Sequence, residues 1–112
     1  ETIAMAADQV PSNNMGVFEE FFSKKVYTTN LIPSLHNKTK APIISIAMHL
    51  DDFTNKLYIR YNSKNNYNKD LKYNSNAMNK ELEEIININP QDYNWEYKRF
   101  KKQENKDKNI YK

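Results

Sequence analysis

The sequence predicts an α/β fold with a mixed sheet and covering helices. Residues 2–7 are a short apolar run of the kind that forms a strand buried on both faces, and residues 42–50 are an apolar run with β-branched residues that predicts a strand. Residues 56–62 alternate between apolar and polar side chains. An apolar stripe at helical spacing follows, made of Met78, Leu82, Ile85 and Ile86. Strands and helices that succeed each other along a chain are typical of α/β domains.

The run at residues 2–7 is predicted to be a strand of a parallel sheet. It ends at Asp8 and Gln9, which places both side chains at the edge where α/β sheets bind ligands. Residues 10–14 contain proline and asparagine and are expected to form a loop. Residues 17–22 are rich in phenylalanine but too short for periodicity to distinguish a strand from a helical turn.

A helix and a hairpin are expected next. Thr28 or Thr29 can cap a helix that runs to about Lys38 and has a proline in its first turn, where proline is tolerated. The apolar run at 42–50 and the alternating segment at 56–62 are predicted to pair antiparallel across a short polar turn.

The second helix is expected late in the chain. Residues 62–76 are rich in asparagine and lysine and are predicted to be a polar connector, whose end can start the next helix. The helix that carries the apolar stripe begins near Met78 and ends at or near Asn89, because Pro90 stops it. Four aromatic side chains are then expected to staple the terminus onto the core: Tyr93, Trp95, Tyr97 and Phe100.

Composition excludes several chemistries. The 112 residues include no cysteine, which excludes disulfides, a thiolate nucleophile and zinc–cysteine sites. The single glycine, Gly16, excludes a glycine-rich loop that cradles phosphate. No apolar stretch approaches the roughly 20 residues that span a bilayer. Because Glu1 leads directly into an apolar run, we expect the chain to be cut from a longer protein.

Positive charge is concentrated at the C-terminal end. Of the net charge of +3, residues 98–112 carry +5 and residues 1–97 carry −2. We expect a folded region at 1–100 and a disordered basic tail at 101–112. A tail of this kind can bind RNA or anionic lipid, so a small interaction module is an alternative interpretation of the whole chain.

Few residues can carry catalysis by themselves. His36 and His49 are the candidates for a general base, but no nucleophile accompanies either in the sequence. His49 and the two aspartates at 51 and 52 have a spacing that can bind metal, although adjacent aspartates in a turn usually serve the turn. We expect no metal site. The best site candidate is Asp8-Gln9, with an Asp that merely caps its loop as the alternative.

The segment from Asn89 to Lys101 resembles the C-terminal signature of the bacterial lipid A biosynthesis (lauroyl/myristoyl) late acyltransferases. That signature runs His/Asn-Pro-Glu-Gln-Tyr-x-Trp-x-His-x-Arg-Phe/Trp-Lys. The residues that fall in register are Pro90, Tyr93, Trp95, Arg99, Phe100 and Lys101. Tyr97 stands where the family usually has His, and Gln91-Asp92 replaces Glu-Gln.

Motifs upstream agree in their order, so the resemblance covers about residues 3–101. Asp8-Gln9 is similar to the family's Asp-Gln after a buried strand, and residues 16–22 are similar to its Gly-x-Phe-x-x-Phe-Phe stretch. Ala41-Pro42-Ile43-Ile44 resembles its Ala-Pro-Val-Val passage. Two departures stand out: Ser12-Asn13-Asn14 replaces a glycine-rich turn, and Ser23 occupies a position that is commonly Gly.

The resemblance implies the C-terminal half of a glycerolipid-acyltransferase-like fold. It also implies an enzyme that moves a fatty acyl chain from acyl carrier protein to a lipid A precursor at the cytoplasmic face of the bacterial inner membrane. The implied partners are these two substrates, the membrane surface and the N-terminal half of the same enzyme, with no nucleic acid and no cofactor. The substrate-binding residues it implies are Asp8, Gln9, Gly16, Phe18 and Phe22.

The catalytic motif of the family, His-x4-Asp/Glu, is absent from these residues. The position five residues after His36 is Ala41, and the position five after His49 is Thr54. We therefore expect no catalytic residue in this chain and no activity from it alone, with the motif lying upstream. A degenerate gene product that keeps only a scaffold role is a further alternative.

Overall fold

Two antiparallel hairpins and two helices make up the fold. The computed structural model describes residues 1–62, 67, 68, 70–105, 110 and 111. Strands β1 (Gly16–Phe21) and β2 (Lys24–Thr29) form one sheet, and strands β3 (Ser45–Asp51) and β4 (Lys56–Asn62) form another. Helix α1 (Leu31–Thr39) follows β2, and helix α2 (Leu71–Ile88) leads into a 3-10 turn (Pro90–Asp92). The α/β class is therefore as predicted.

The parallel strand predicted at residues 2–7 does not form, and the mixed sheet was a wrong prediction for the described residues. Residues 1–6 have no regular structure, and Ile3 and Met5 are 69% and 42% exposed. Both sheets in the described ranges are purely antiparallel. The physical reason is that apolar composition indicates a preference for burial but does not supply a strand to pair with.

The first hairpin decides the open question at residues 17–22 in favour of a strand. Its turn consists of Phe22 and Ser23, whose φ angles are 46° and 59°. Two left-handed residues in a two-residue turn match the twist of a hairpin, and Asn-Gly is the usual pair. Here the N–H of Phe22 donates to Glu83 Oε1 at 2.8 Å, and its ring lies 4.7 Å from that of Phe21. These contacts hold a bulky residue in a disfavoured conformation.

Strand β2 was not predicted, and it takes the residues that were expected to cap the first helix. Val26 and Thr28 are its buried positions. Helix α1 consequently begins at Leu31, whose N–H donates to Thr29 Oγ1 at 3.2 Å, and it ends at Thr39. Its proline, Pro33, lies in the first turn as predicted.

The second hairpin pairs as predicted, with Met48 opposite Ile59. One side of β3 faces α2, where Ser45 is buried and its hydroxyl donates to Glu81 Oε2 at 3.3 Å. The other side is apolar and exposed; Met48 and Ile59 are 62% and 64% exposed. We call this surface the outer face, and it comprises Ile44, Ile46, Met48, Leu50 and Ile59.

Helix α2 begins at Leu71, seven residues before Met78, within the end of the connector that the sequence allowed as the start of the helix. Asp70 caps it by accepting hydrogen bonds from the N–H groups of Lys72 and Tyr73 at 2.8 and 3.2 Å. The first turns bury polar side chains, which an apolar stripe does not reveal. Residues 63–66 and 69 of the predicted connector lie outside the described residues. The helix ends at Ile88, as Pro90 predicted.

The apolar core lies between the first hairpin and the C-terminal part of α2. Phe21, Val26 and Ile86 form its centre, and Tyr93 and Phe100 pack against it from the C-terminal segment. None of the helices in the described part of the chain is long and apolar enough to cross a bilayer.

The left-handed turn gives a stability prediction. Replacing Ser23 by glycine should raise the free energy of unfolding by about 1 kcal/mol, because glycine adopts a φ of 59° without the penalty of a Cβ. Urea denaturation measures this change. Lys25→Gly, at a neighbouring position without positive φ, should instead lower stability by roughly 0.5–1 kcal/mol. Equal effects of the two glycines would contradict the turn geometry.

Candidate functional site

The C-terminal segment folds back across the first hairpin and fixes the loop that follows Asp8. We call residues 93–102 the clasp. The N–H of Val10 donates to the Tyr97 hydroxyl at 2.7 Å, and Lys102 Nζ donates to the Pro11 carbonyl at 2.6 Å. These two contacts join positions about ninety residues apart in sequence, so the clasp and the loop form one unit.

The predicted aromatic staple is confirmed at the clasp. Tyr93 and Phe100 pack on the core, while Trp95 is 52% exposed. Trp95 is nevertheless held in place, because its indole N–H donates to the Pro90 carbonyl at 2.7 Å and its ring lies 4.8 Å from that of Tyr93. A half-exposed indole with a satisfied N–H is an ordinary arrangement for tryptophan.

Arg99 is the most deeply buried charged side chain of the clasp, with 1% of its surface exposed. Its guanidinium donates to the Tyr27 carbonyl at 2.8 Å and to Thr28 Oγ1 at 3.0 Å. The same group lies 5.4 Å from the centre of the Phe21 ring. One side chain therefore ties the clasp to both strand β2 and the last residue of β1.

Asp8 supplies the negative charge for a polar centre that also contains Tyr93 and Arg99. Burial lowers the pKa of Arg99, and the negative charge of Asp8 is among the interactions that oppose that shift. Burial, followed by the charge of Asp8, raises the pKa of Tyr93, so its hydroxyl keeps its proton at neutral pH. Arg99 Nε is enclosed and has no hydrogen-bond partner among the described residues, whereas the Tyr93 hydroxyl interacts with the Asp8 side chain. Arg99 Nε thus has unused hydrogen-bonding capacity.

An open groove of about 840 Å³ lies between the loop, the first hairpin and the end of the chain. Asn13 and Asn14 line it from the loop, and Phe18 and Tyr27 line it from the hairpin. Its other residues come from the C-terminal segment: Lys98, Lys101, Lys102, Gln103, Glu104 and Tyr111. Sites for small molecules have volumes of roughly 300–1,000 Å³, so the groove has the size of a ligand site.

Comparison with known proteins identifies the family. Residues 1–102 match the family described as bacterial lipid A biosynthesis acyltransferase. The chain belongs to this family. No curated individual protein matches the sequence closely enough to be reported as a relative. The family match agrees with the resemblance of the motifs. It indicates acyltransferase as the broad functional class of this family member.

The structure distributes the five predicted substrate-binding residues over three places. Asp8 lies in the polar centre, next to an exposed Gln9, and Phe18 lines the groove. The N–H of Gly16 donates to the hydroxyl of Tyr27, a groove residue, at 3.1 Å. Phe22 lies at the hairpin turn, and the described groove lining does not include it. Their roles in substrate binding stay predictions.

Gly16 has a steric reason to be glycine in this family member. A Cβ at this position would lie 2.5 Å from the backbone oxygen of Thr28 and 2.8 Å from Pro11 Cγ. Backbone atoms cannot give way as the end of a flexible side chain can. The glycine therefore lets the loop approach the hairpin closely, next to the groove.

Both histidines lie against neighbouring parts of the fold. His36 Nδ1 is bonded to the Ala41 carbonyl at 2.8 Å, and its ring lies 5.2 Å from that of Tyr67. His49 lines a small cavity of about 70 Å³ between β3 and α2. Within the described residues, no group of three or more potential ligands could hold a metal ion.

Sequence reasoning missed the residues that complete the groove. Tyr27 lies on the unpredicted strand. Lys102 and Tyr111 were assigned to a disordered basic tail that could bind RNA or anionic lipid, and Lys98 was not assigned to a site. Their recurrence as lysine and tyrosine near the terminus was the available signal. The contacts between lysine and tyrosine side chains are visible only in the folded structure.

Arg99 gives a test of the clasp in this family member. Arg99→Met should lower the free energy of unfolding by about 2 kcal/mol, since two hydrogen bonds from a charged donor are lost while the desolvation of the guanidinium is relieved. Urea denaturation measures the loss. The exposed neighbour provides the control: Lys98→Met should stay within about 0.5 kcal/mol. Similar stabilities of wild type and Arg99→Met would contradict a central role of the clasp.

Proposed function

We propose that this chain contributes a positioning carboxylate and a substrate groove to an acyltransferase that modifies lipid A. The enzyme would move a fatty acyl chain from acyl carrier protein to a hydroxyl of a lipid A precursor. The family match over residues 1–102 is the observation that carries this proposal. The position of Asp8 beside a buried arginine supports it, because charged groups held in this way are frequent at functional sites.

The reaction requires a general base, and the sequence motif that supplies it in this family does not occur in the 112 residues. In acyl transfer of this type, the acceptor hydroxyl attacks the thioester carbon, an ester C–O bond forms and the C–S bond breaks. A histidine takes the hydroxyl proton and passes it to the leaving thiolate. The His-x4-Asp/Glu motif that would supply this histidine does not occur in the 112 residues. We assign it to another part of the same enzyme.

Asp8 would act as a positioning residue in this scheme. Its neighbour Arg99 is buried and its neighbour Tyr93 is partly buried, and burial followed by the Asp8 charge raises the pKa of Tyr93. The enclosed Arg99 Nε offers a further hydrogen bond to a group brought in by the histidine-bearing part. A fixed carboxylate within such a network orients donors without reacting itself.

The exposed apolar side chains of the outer face favour contact with a second part of the enzyme. Five apolar side chains of β3, β4 and the residue before β3 are exposed side by side, and Met5 and Ile3 are exposed as well. Contiguous exposed apolar surface is typical of a binding face. We propose that the histidine-bearing part of the enzyme packs on the outer face.

We also propose that the enzyme acts at the cytoplasmic face of the inner membrane. An acceptor with several acyl chains is confined to a membrane, so the enzyme must work at its surface. The lysines at the C-terminal end support this location, since each Lys near an anionic surface contributes about 1 kcal/mol.

The role of Asp8 is tested in an enzyme in which this chain follows a segment that carries the His-x4-Asp/Glu motif. Asp8→Asn should lower kcat by about a hundredfold, because displaced positioning groups have effects of that size. KM should change little. Steady-state kinetics with acylated acyl carrier protein and lipid acceptor measure both constants. Asp8→Glu should restore part of kcat, which a merely structural role would not predict.

Asp52→Asn is the matched control for this experiment. Asp52 is exposed in the turn of the second hairpin and should leave kcat unchanged. Full activity of Asp8→Asn would sink the assignment. Acyl transfer by the 112-residue chain alone would equally contradict the need for an external histidine.

The outer face gives a test with opposite outcomes in two proteins. In the 112-residue chain, Met48→Lys with Ile59→Lys should change the free energy of unfolding by less than about 0.5 kcal/mol per site, because both side chains are exposed. In the joined enzyme, the same pair should destabilise by at least about 2 kcal/mol, because the charges would be buried. Thermal unfolding measures both. The proposed packing is wrong if the joined enzyme tolerates the pair as well as the chain does.

A further inference from the structure

The groove is a concave surface in which positive charge and aromatic rings meet. Its aromatic side consists of Phe18, Tyr27 and Tyr111, all only partly buried. The rings of Phe18 and Tyr27 lie 5.0 Å apart and are tilted by 53°. Two rings inclined in this way present apolar surface to the groove, whereas the tyrosine hydroxyls are used inside the fold: the Tyr27 hydroxyl accepts from Gly16.

Three lysines also line the groove, and each ammonium group lies near a tyrosine ring. Lys102 Nζ lies 4.7 Å from the Tyr27 ring centre, and Lys98 Nζ lies 5.8 Å from that of Tyr111. Lys101 Nζ lies 5.5 Å from the Tyr97 ring centre. Contacts between a cation and an aromatic face at these distances are attractive. The lysines are thus positioned without being neutralised.

The charge of the groove remains largely uncompensated. None of the three ammonium groups forms an ion pair with a carboxylate of the described residues. Glu104 is the acidic residue in the described lining and offsets one of the three charges. A concave surface with an excess of cations binds an anion more strongly than the same charges spread over a flat surface.

We propose that the groove binds the phosphate-bearing sugar headgroup of the lipid acceptor. Lysine ammonium groups are compact donors that suit phosphate, and the two inclined rings offer apolar surface for the flat side of a sugar ring. An acidic protein would need a broad interface of about 800 Å² per partner, which a concave groove of this size does not present. The choice of a sugar over another ring rests on the proposed function.

The loop after Asp8 supports this assignment. Asn13 and Asn14 line the groove, and Val10 and Pro11 of the same loop are held by the clasp. A headgroup in the groove would therefore lie on the loop that carries the positioning carboxylate. This arrangement suits an acceptor whose headgroup is held while its acyl hydroxyl reacts.

Binding is tested by titrating the ¹⁵N-labelled 112-residue chain with N-acetylglucosamine 1-phosphate. The amide signals of Phe18, Tyr27 and Lys98 should shift in a saturable manner, and added salt should weaken the binding. Unphosphorylated N-acetylglucosamine should produce no saturable shift. Inorganic phosphate should bind at least about fivefold more weakly, which corresponds to the contribution of ring contacts. Equal affinity for phosphate and the sugar phosphate would overturn the sugar assignment.

Matched variants separate the groove from general electrostatic attraction. Lys98→Gln with Lys101→Gln should weaken the sugar phosphate by about tenfold, as expected for two lost charge-assisted contacts. Lys24→Gln with Lys25→Gln removes the same charge from exposed positions of β2 outside the groove and should change the affinity less than about twofold. Glu104→Gln should strengthen binding. Equal losses from both lysine pairs would overturn the site.

Acyl carrier protein is the competing ligand for the groove, and its titration is the last control. If the acyl carrier protein carrying its phosphopantetheine arm shifts the groove signals while the sugar phosphate does not, the proposed headgroup site is wrong. This result is independent of the acyl-transfer assay. If sugar phosphate does not bind but catalysis still depends on Asp8, the headgroup site alone is wrong. If catalysis does not depend on Asp8, the positioning role is wrong and the binding result still stands.

Discussion

A buried guanidinium is the constraint on which the rest of the structure depends. Arg99 satisfies two acceptors of β2 and lies over the Phe21 ring, so three segments that are distant in sequence meet at one side chain. Desolvation of a charge is unfavourable, and the pKa of Arg99 is lowered accordingly. The nearby negative charge of Asp8 compensates part of this effect, which makes the loop and the clasp mutually dependent.

The polar interior extends this dependence into helix α2. Asn79 lies on the buried side of the helix and donates to the Glu20 carbonyl and to Thr28 Oγ1, both at 2.9 Å. Thr28 therefore accepts from Asn79 and from Arg99, and it joins α2, β2 and the clasp. Buried polar networks of this kind favour a single arrangement when their members are satisfied, because alternative packings leave groups unpaired. The apolar core, by contrast, is small and would tolerate several arrangements.

The elements that the sequence predicted correctly depend on interactions between residues that are close together in the chain. The second hairpin and the end of α2 at Pro90 follow from alternation and from the geometry of proline, and both were confirmed. The apolar stripe did not mark the start of α2, because Asn74 and Ser75 are buried but polar; the Asn74 side chain accepts a hydrogen bond from the N–H of Asn68. Strand β2 was missed because its turn uses Phe22 and Ser23 instead of residues that favour a left-handed conformation. The Asp8 centre followed from a motif, whereas the groove depends on contacts between residues some seventy to ninety positions apart, which local patterns do not encode.

The shared loop explains why a positioning carboxylate and a cationic groove occur together on so small a scaffold. The loop leaves the polar centre at Asp8, is held at Val10 and Pro11 by the clasp, and reaches the groove at Asn13 and Asn14. A ligand that binds the groove lysines contacts the clasp at Lys102, whose amine already holds Pro11. In the proposed binding mode, the ligand would act on the same contacts that hold the loop after Asp8, and the free energy of ligand binding would be available to order the carboxylate. In a chain with a thin apolar core, such a coupling lets one set of polar contacts serve both the fold and the proposed chemistry.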